Sequence, residues 1–126
     1  MISQELEELL VGCYSKDLCY PKVRKEWNNN NKYWGMCAIT ALVVDDYFNT
    51  ELGKIAVDGI SHYFNIKDGK IIDLTAKQFG KELDYSNYES VSRGEILLSL
   101  DTKKRYEKIK NRIKKQVGLE IQDSEL

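Results

Sequence analysis

The run Met36–Phe48, MCAITALVVDDYF, is apolar on nearly every side of a helix until Asp45. A helix at a protein surface keeps a polar stripe toward water; this one has none over its first turns, so other elements must cover it all round. It is therefore expected at the centre of a domain. A chain of 126 residues supplies the cover, since that length buries roughly two-thirds of its unfolded surface in one domain.

Downstream, residues 54–57, 60–66 and 70–74 read as three short strands. They are joined at Asp58-Gly59 and Asp68-Gly69, dipeptides favoured by two-residue type I′ turns because both central residues need positive φ. The fold class expected is α+β: a central buried helix packed on a three-stranded antiparallel meander, flanked by N- and C-terminal helices. Thr75 is placed to cap a short turn through Phe79.

The flanking helices are read from periodicity. Ile2, Leu6, Leu9, Leu10 and Cys13 form one stripe, with Ser3 as the expected N-cap. Residues 14–33 hold the single proline, Pro21, and the polar tract Asn28 to Asn31, and read as an irregular surface segment ordered by Tyr20 and Trp27. Loops of that length often carry function. Ser92-x-x-Glu95 resembles a capping box. Asp101 is the expected cap of a final helix with Tyr106, Ile109, Ile113 and Val117 inward and Gly118 as its stop. The expected organisation is one domain over 1–118 and a frayed tail over 119–126.

Charge excludes some functions. The formal net charge is −1, which offers nothing to nucleic acid or to an anionic membrane. Residues 103–115 carry eight Lys or Arg against Glu107 alone, a pattern expected of a solvated helix face. No apolar run is long enough to span a bilayer. The acidic, amphipathic MISQELEELL is unlike a targeting segment, so a cytoplasmic location is expected. Three cysteines without CxxC spacing argue against a disulfide scaffold. The one histidine means that any imidazole chemistry must use His62. A zinc site from Cys13, Cys19, Cys37 and His62 would lack a short-spaced ligand pair.

Three residues carry the chemistry. Cys37 stands at the start of the buried helix, after Gly35. Free N–H groups and about half a positive charge gather at a helix N-terminus, favouring a thiolate and an oxyanion there. Gly35 would let a substrate backbone approach. Ile60, His62, Phe64 and Ile66 alternate onto one strand face. With a two-residue turn at Asp68-Gly69, Phe64 falls opposite Asp73. Asp73 is then the diagonal neighbour of His62, roughly 7–8 Å away at the backbone. A carboxylate there can accept the imidazole N–H and fix its tautomer. The order Cys, His, Asp on helix start, strand and next strand is what a papain-like acyl-transfer site requires. Trp34, Met36, Tyr63 and Tyr33 are expected beside Cys37, and Asn31 or Asn30 is a candidate oxyanion donor.

Trp34-Gly35-Met36-Cys37-Ala38-Ile39-Thr40-Ala41-Leu42-Val43-Val44, then Gly59-Ile60-Ser61-His62-Tyr63-Phe64-Asn65, then Ile72-Asp73-Leu74-Thr75 with Gln78-Phe79, resemble the YunG-like family of small bacterial proteins. Leu97-Leu98-Ser99 and Asp101-Thr102 to Arg105-Tyr106-Glu107 resemble its C-terminal part, so the likeness covers roughly residues 27–115. The His-aromatic-aromatic-Asn and Asp-Leu-Thr pieces are also similar to transglutaminase-like core motifs. That resemblance implies a cysteine nucleophile, a histidine base and an aspartate orienter at Cys37, His62 and Asp73, and a glutamine where Met36 stands. The function expected is cysteine-dependent acyl transfer on a peptide, amide, isopeptide or thioester substrate, a protein included, without a cofactor. A binding module that kept the fold and lost the activity is the alternative. Neither membrane nor nucleic acid is an expected partner.

Overall fold

Helix α2, Cys37–Phe48, is the centre of the computed structural model, which describes residues 2–125, with side chains through 118. Ile39 to Val44 are all buried, Thr40 included. The hydroxyl of Thr40 meets that of Tyr14 at 2.5 Å, which satisfies both polar groups within the core. Gly35 at φ +72° turns the chain into α2, and Asn49 at φ 53° turns it out. Helix α1, Ser3–Cys13, and helix α4, Leu100–Glu125, cover the helix with Leu6, Leu10, Ile109 and Ile113. Among the described residues no helix is long and apolar enough to cross a membrane.

On the remaining side lies an antiparallel sheet of four strands, not three. Strands β1 (Glu51–Val57), β2 (Ile60–Lys67) and β3 (Lys70–Ile72) form the expected meander. A fourth strand, β4 (Glu89–Val91), pairs with Leu52–Lys54, giving the order β3-β2-β1-β4. Only three residues long and largely exposed, it lacks the alternation that would mark it in a sequence. Both hairpin turns have positive φ at both central residues, 52° and 80° at Asp58-Gly59, 53° and 76° at Asp68-Gly69. They set the registers Val57↔Ile60 and Lys67↔Lys70. The third strand ends at Ile72, two residues sooner than expected.

Paired residues share a face, and both faces are covered. Leu52, Tyr63, Ile72 and Val91 join the main core around α2. On the other face Phe64 packs its ring against Tyr85 and Tyr88, at 4.9 and 5.8 Å between centroids. Gly53, opposite Phe64, makes room for that ring, since a Cβ there would come within 2.9 Å of Phe64 and Ile66. Asn65 bridges sheet and helix by donating to the Ala41 carbonyl and the Thr50 hydroxyl, both at 2.8 Å.

The helix ends depart from the sequence reading in detail. Ile2, not Ser3, precedes α1, without a side-chain cap. Ser92 caps the short helix α3, Arg93–Leu97, by accepting the Glu95 N–H. For α4 the cap is Ser99, whose hydroxyl accepts the Thr102 N–H at 3.2 Å, while Asp101 accepts from Arg105 one turn on. Thr75 precedes the 3₁₀ turn Ala76–Phe79 without a side-chain cap bond. Helix α4 passes through Gly118 to Glu125; a glycine costs a helix only about 1 kcal/mol and need not end it. The segment 14–33 is irregular as expected, with 3₁₀ turns at Lys16–Leu18 and Pro21–Glu26 and Trp27 Nε1 donating to the Lys32 carbonyl. Part of the basic run on α4 ties this segment down. Arg105 donates to the Leu18 carbonyl, Arg112 to the Cys13 carbonyl, and Lys108 and Arg112 pair with Asp17.

Gly35 is packed too closely for a side chain. A Cβ on it would lie 2.4 Å from the buried Cys19 sulfur and 3.0 Å from the Tyr20 nitrogen. Gly35→Ala therefore combines left-handed strain of about 1 kcal/mol or more with a steric clash. Urea unfolding should show a loss of more than about 2 kcal/mol. Adding Cys19→Ala should restore the clash portion but not the strain, and strict additivity of the two substitutions would refute this account.

Candidate functional site

Cys37 is the first residue of α2, half-buried, and it opens into a cleft of about 660 Å³. Trp34, Gly35 and Ala38 line the cleft beside it, and Gly59, Ile60, Ser61 and Tyr63 bring the β1–β2 turn and the start of β2. Gln78 and Phe79 close one wall, Tyr20, Lys22 and Val23 another. Glu95, Ile96, Ser99, Thr102 and Arg105 form the wall built by α3 and α4. A volume of this size accommodates a small ligand or a short stretch of chain.

Behind Cys37, away from solvent, lies His62, 1% exposed. Its Nε2 meets Asp73 Oδ2 at 2.6 Å. The diagonal relation expected from the hairpin register thus ends in a direct hydrogen bond, although Asp73 lies one residue beyond β3. Asp73 is itself held on both oxygens. Oδ1 accepts from the Thr75 N–H at 3.3 Å, and Oδ2 accepts a second bond from the Tyr85 hydroxyl at 2.7 Å. The imidazole is clamped edge-on against Phe79, 4.9 Å between centroids, and stacks beside Phe64.

The second ring nitrogen, Nδ1, is buried without a hydrogen-bond partner. Because Nε2 is committed to Asp73, Nδ1 is the nitrogen left to Cys37. No hydrogen bond joins the two side chains, but Cys37 lies near enough to favour protonation of His62. Burial opposes protonation of this ring. The bond to Asp73, the interaction with Cys37 and the charges of both outweigh it and push the pKa of His62 up to about 9. The imidazole is therefore cationic at neutral pH. Tyr85 is raised in the opposite sense to a phenolate, by burial and by its bond to the Asp73 carboxylate, and so keeps its proton to donate.

The other expected site residues divide. Trp34, Gly35 and Tyr63 line the cleft with Cys37. Trp34 also packs structurally, with Nε1 donating to the Val23 carbonyl and its ring edge-on to Phe79. Met36 has no exposed surface and belongs to the core, so it makes no contribution to the cleft wall. The close approach at Gly35 is to Cys19 and Tyr20 of the same chain. The Asn31 amide donates to the Gln78 carbonyl, which spends it on holding the loop to the 3₁₀ turn. Tyr33 faces away, bonded to Glu7. Cys13 and Cys19 are buried free thiols, and burial pushes both up, Cys19 to about 11. Among the described residues no group of three or more His, Cys, Asp or Glu is arranged to hold a metal ion, so the four-residue zinc arrangement does not form.

Two participants are given no role at the site by the sequence reading. Tyr85 sits in a Tyr/Ser-rich stretch with no periodicity, and only the folded chain brings it to Asp73. Gln78 accepts the Gly35 N–H on Oε1 at 3.1 Å and donates from Nε2 to the Thr75 carbonyl, locking the turn before Cys37 to the turn after Asp73.

Against known proteins, a family model described as "YunG protein" matches residues 3–118. A curated relative from Bacillus subtilis (strain 168), "Uncharacterized protein YunG", is 34% identical over 73 residues, 58% of this chain and 63% of that protein. The match therefore spans less than two-thirds of the relative's length. No solved structure matches.

The His62 charge predicts a pH dependence. Its folded pKa lies above the unfolded value of 6.5, so folding takes up a proton between the two. The stabilisation is whole below pH 6.5 and is lost as pH rises through about 9. Urea midpoints should fall from pH 6.5 to 8, with a slope of at most about 1.4 kcal/mol per pH unit. Asp73→Asn should flatten this slope and lower the His62 midpoint. Proton NMR reads that midpoint without overlap, because the chain has one histidine. A wild-type midpoint below 7 would refute the assignment.

Proposed function

The chain belongs to the YunG family, and on that footing we propose that it is a cysteine-dependent acyl-transfer enzyme with a papain/transglutaminase-like use of Cys37, His62 and Asp73. The observation that carries this reading is the line from cleft to core: a half-exposed sulfur, a buried imidazole with Nδ1 uncommitted, and a carboxylate 2.6 Å from Nε2. A buried imidazolium costs free energy unless it is paired.

In this mechanism Cys37 passes its proton to Nδ1 of His62, giving a thiolate beside the cationic ring, and the thiolate sulfur attacks the carbonyl carbon of an amide, isopeptide or thioester. The cationic ring supplies the proton that the leaving nitrogen or sulfur takes as the carbonyl–heteroatom bond breaks. Nδ1, now neutral, accepts a proton from water or an amine, which attacks the thioester and releases Cys37. Asp73 keeps the ring in one orientation and stabilises its cationic form, and Tyr85 and Thr75 keep Asp73 in place. The oxyanion is received by the main-chain N–H of Cys37, one of the first donors of α2 and without an acceptor within the helix. Neither the Gln78 nor the Asn31 side-chain amide joins it, since the first is spent on the Thr75 carbonyl and the second on the Gln78 carbonyl, and a buried methionine stands where the resemblance implies a glutamine.

That missing amide favours a second reading, a binding domain that retains the side-chain line without turnover. One measurement separates the two. Iodoacetamide at pH 7 should modify Cys37 and spare the buried Cys13 and Cys19, as read by peptide mass mapping. His62→Ala should slow the reaction at least about tenfold, the loss of an acid–base partner being worth roughly 10²–10⁴ in full catalysis. Equal, slow labelling in both proteins would remove the nucleophile and leave the binding reading.

A further inference from the structure

Strand β2 has one edge that the sheet does not use, and that edge lies in the cleft. The type I′ turn at Asp58-Gly59 makes Val57↔Ile60 a hydrogen-bonded pair, and such pairs recur at every second residue. Ile60, His62, Phe64 and Ile66 therefore direct their main-chain groups toward β1. Ser61, Tyr63 and Asn65 direct theirs toward the opposite edge. There β3 meets only the far end of β2, in the pairs Asn65↔Ile72, Ile66↔Ile71 and Lys67↔Lys70. Beyond Ile72 the chain turns away through Asp73 into the 3₁₀ turn. Among the described residues no protein group bonds to the outward N–H or C=O of Ser61 or Tyr63. Both residues line the same cleft as Cys37, and Ser61 is exposed.

We propose that this edge is the substrate subsite: the cleft takes a polypeptide in extended conformation, laid against Ser61–Tyr63 as an added antiparallel strand, with its scissile carbonyl over Cys37. The inference rests on the acyl-transfer reading and narrows its substrate from any amide or thioester to an extended peptide segment. A strand edge recognises main chain by N–H···O=C exchange at every second residue. Two outward residues offer up to about four such bonds. Trp34, Tyr63 and Phe79 give the alternating side chains of the peptide apolar surface. A compact small-molecule amide would leave the edge groups unmet. An exposed edge is also a pairing hazard, and here its two residues line a cleft.

The experiment uses short acetylated oligoalanines ending in a vinyl sulfone, to whose terminal vinyl carbon the Cys37 sulfur adds while the adjacent carbon takes a proton. The rate of Cys37 modification is compared with that of ethyl vinyl sulfone and of the same peptides N-methylated at one amide at a time. The oligoalanine is expected to react at least about tenfold faster than ethyl vinyl sulfone. N-methylation should lower its rate by on the order of fivefold at alternate amides only, the others pointing away from the edge. No advantage of the peptide, or sensitivity without alternation, would overturn the edge assignment. Iodoacetamide labelling that does not depend on His62 would instead overturn the acyl-transfer reading beneath it, so the two failures are distinct.

Discussion

A helix with no polar face imposes its requirement on everything around it. Because α2 is apolar on every side through Val44, its burial needs α1 and α4 on one flank and the sheet on the other. Each of those elements must then be held without exposing backbone or burying unpaired charge. Arg93 shows how this is met at the far end. It donates to the Leu42 carbonyl and Asp45 of α2, and to the hydroxyl of Tyr106 on α4. Tyr106 in turn donates to Asp46. The apolar body of the helix sets the architecture, and the polar groups at its ends fasten the neighbours.

The start of α2 is where cover is withheld. A helix buried this completely would ordinarily have its first N–H groups capped by a side chain, yet Met36 gives no such bond. Instead the chain arrives through a left-handed glycine, so tightly packed on Cys19 that a methyl group would not fit. The consequence is that the sulfur of Cys37 and the free donors beside it face a cleft instead of the core. The same packing that makes Gly35 indispensable seals Cys19 away, so three cysteines of one chain have two different environments.

Polar groups in the small second core are ordered by a single carboxylate. Asp73 accepts from His62, Tyr85 and Thr75 together, and each donor comes from a different part of the chain. Removing that charge would strand three donors, which makes the carboxylate the structural as well as the electrostatic centre of the site. The ring it holds is favoured in its cationic form and walled by Phe64 and Phe79, which shield it from water. The Cys37 side remains accessible. The same early end of β3 that lets Asp73 leave the ladder also bares the edge of β2 at Ser61 and Tyr63. Site and open edge are thus one feature of the topology.

Much of this was determined by residues acting on near neighbours. The apolar run gave α2, the Asp-Gly pairs gave both hairpins and their registers, and the register placed Asp73 diagonal to His62. Each of these signals is local: helix burial, positive φ and strand alternation are decided within a few residues. What the tertiary structure alone decided involves partners far apart or without pattern. Strand β4 is too short to alternate, Tyr85 reaches Asp73 from an irregular stretch, and the cleft wall of Thr102 and Arg105 comes from a helix whose inward stripe says nothing of its flank. The fates of Met36 and Asn31 are of the same kind. Burial of one and the bond of the other to Gln78, 47 positions away, depend on how finished elements pack. The hydrophobic effect chooses which face goes inward, but many pairings of exposed polar side chains satisfy it equally. Only the completed packing selects among them.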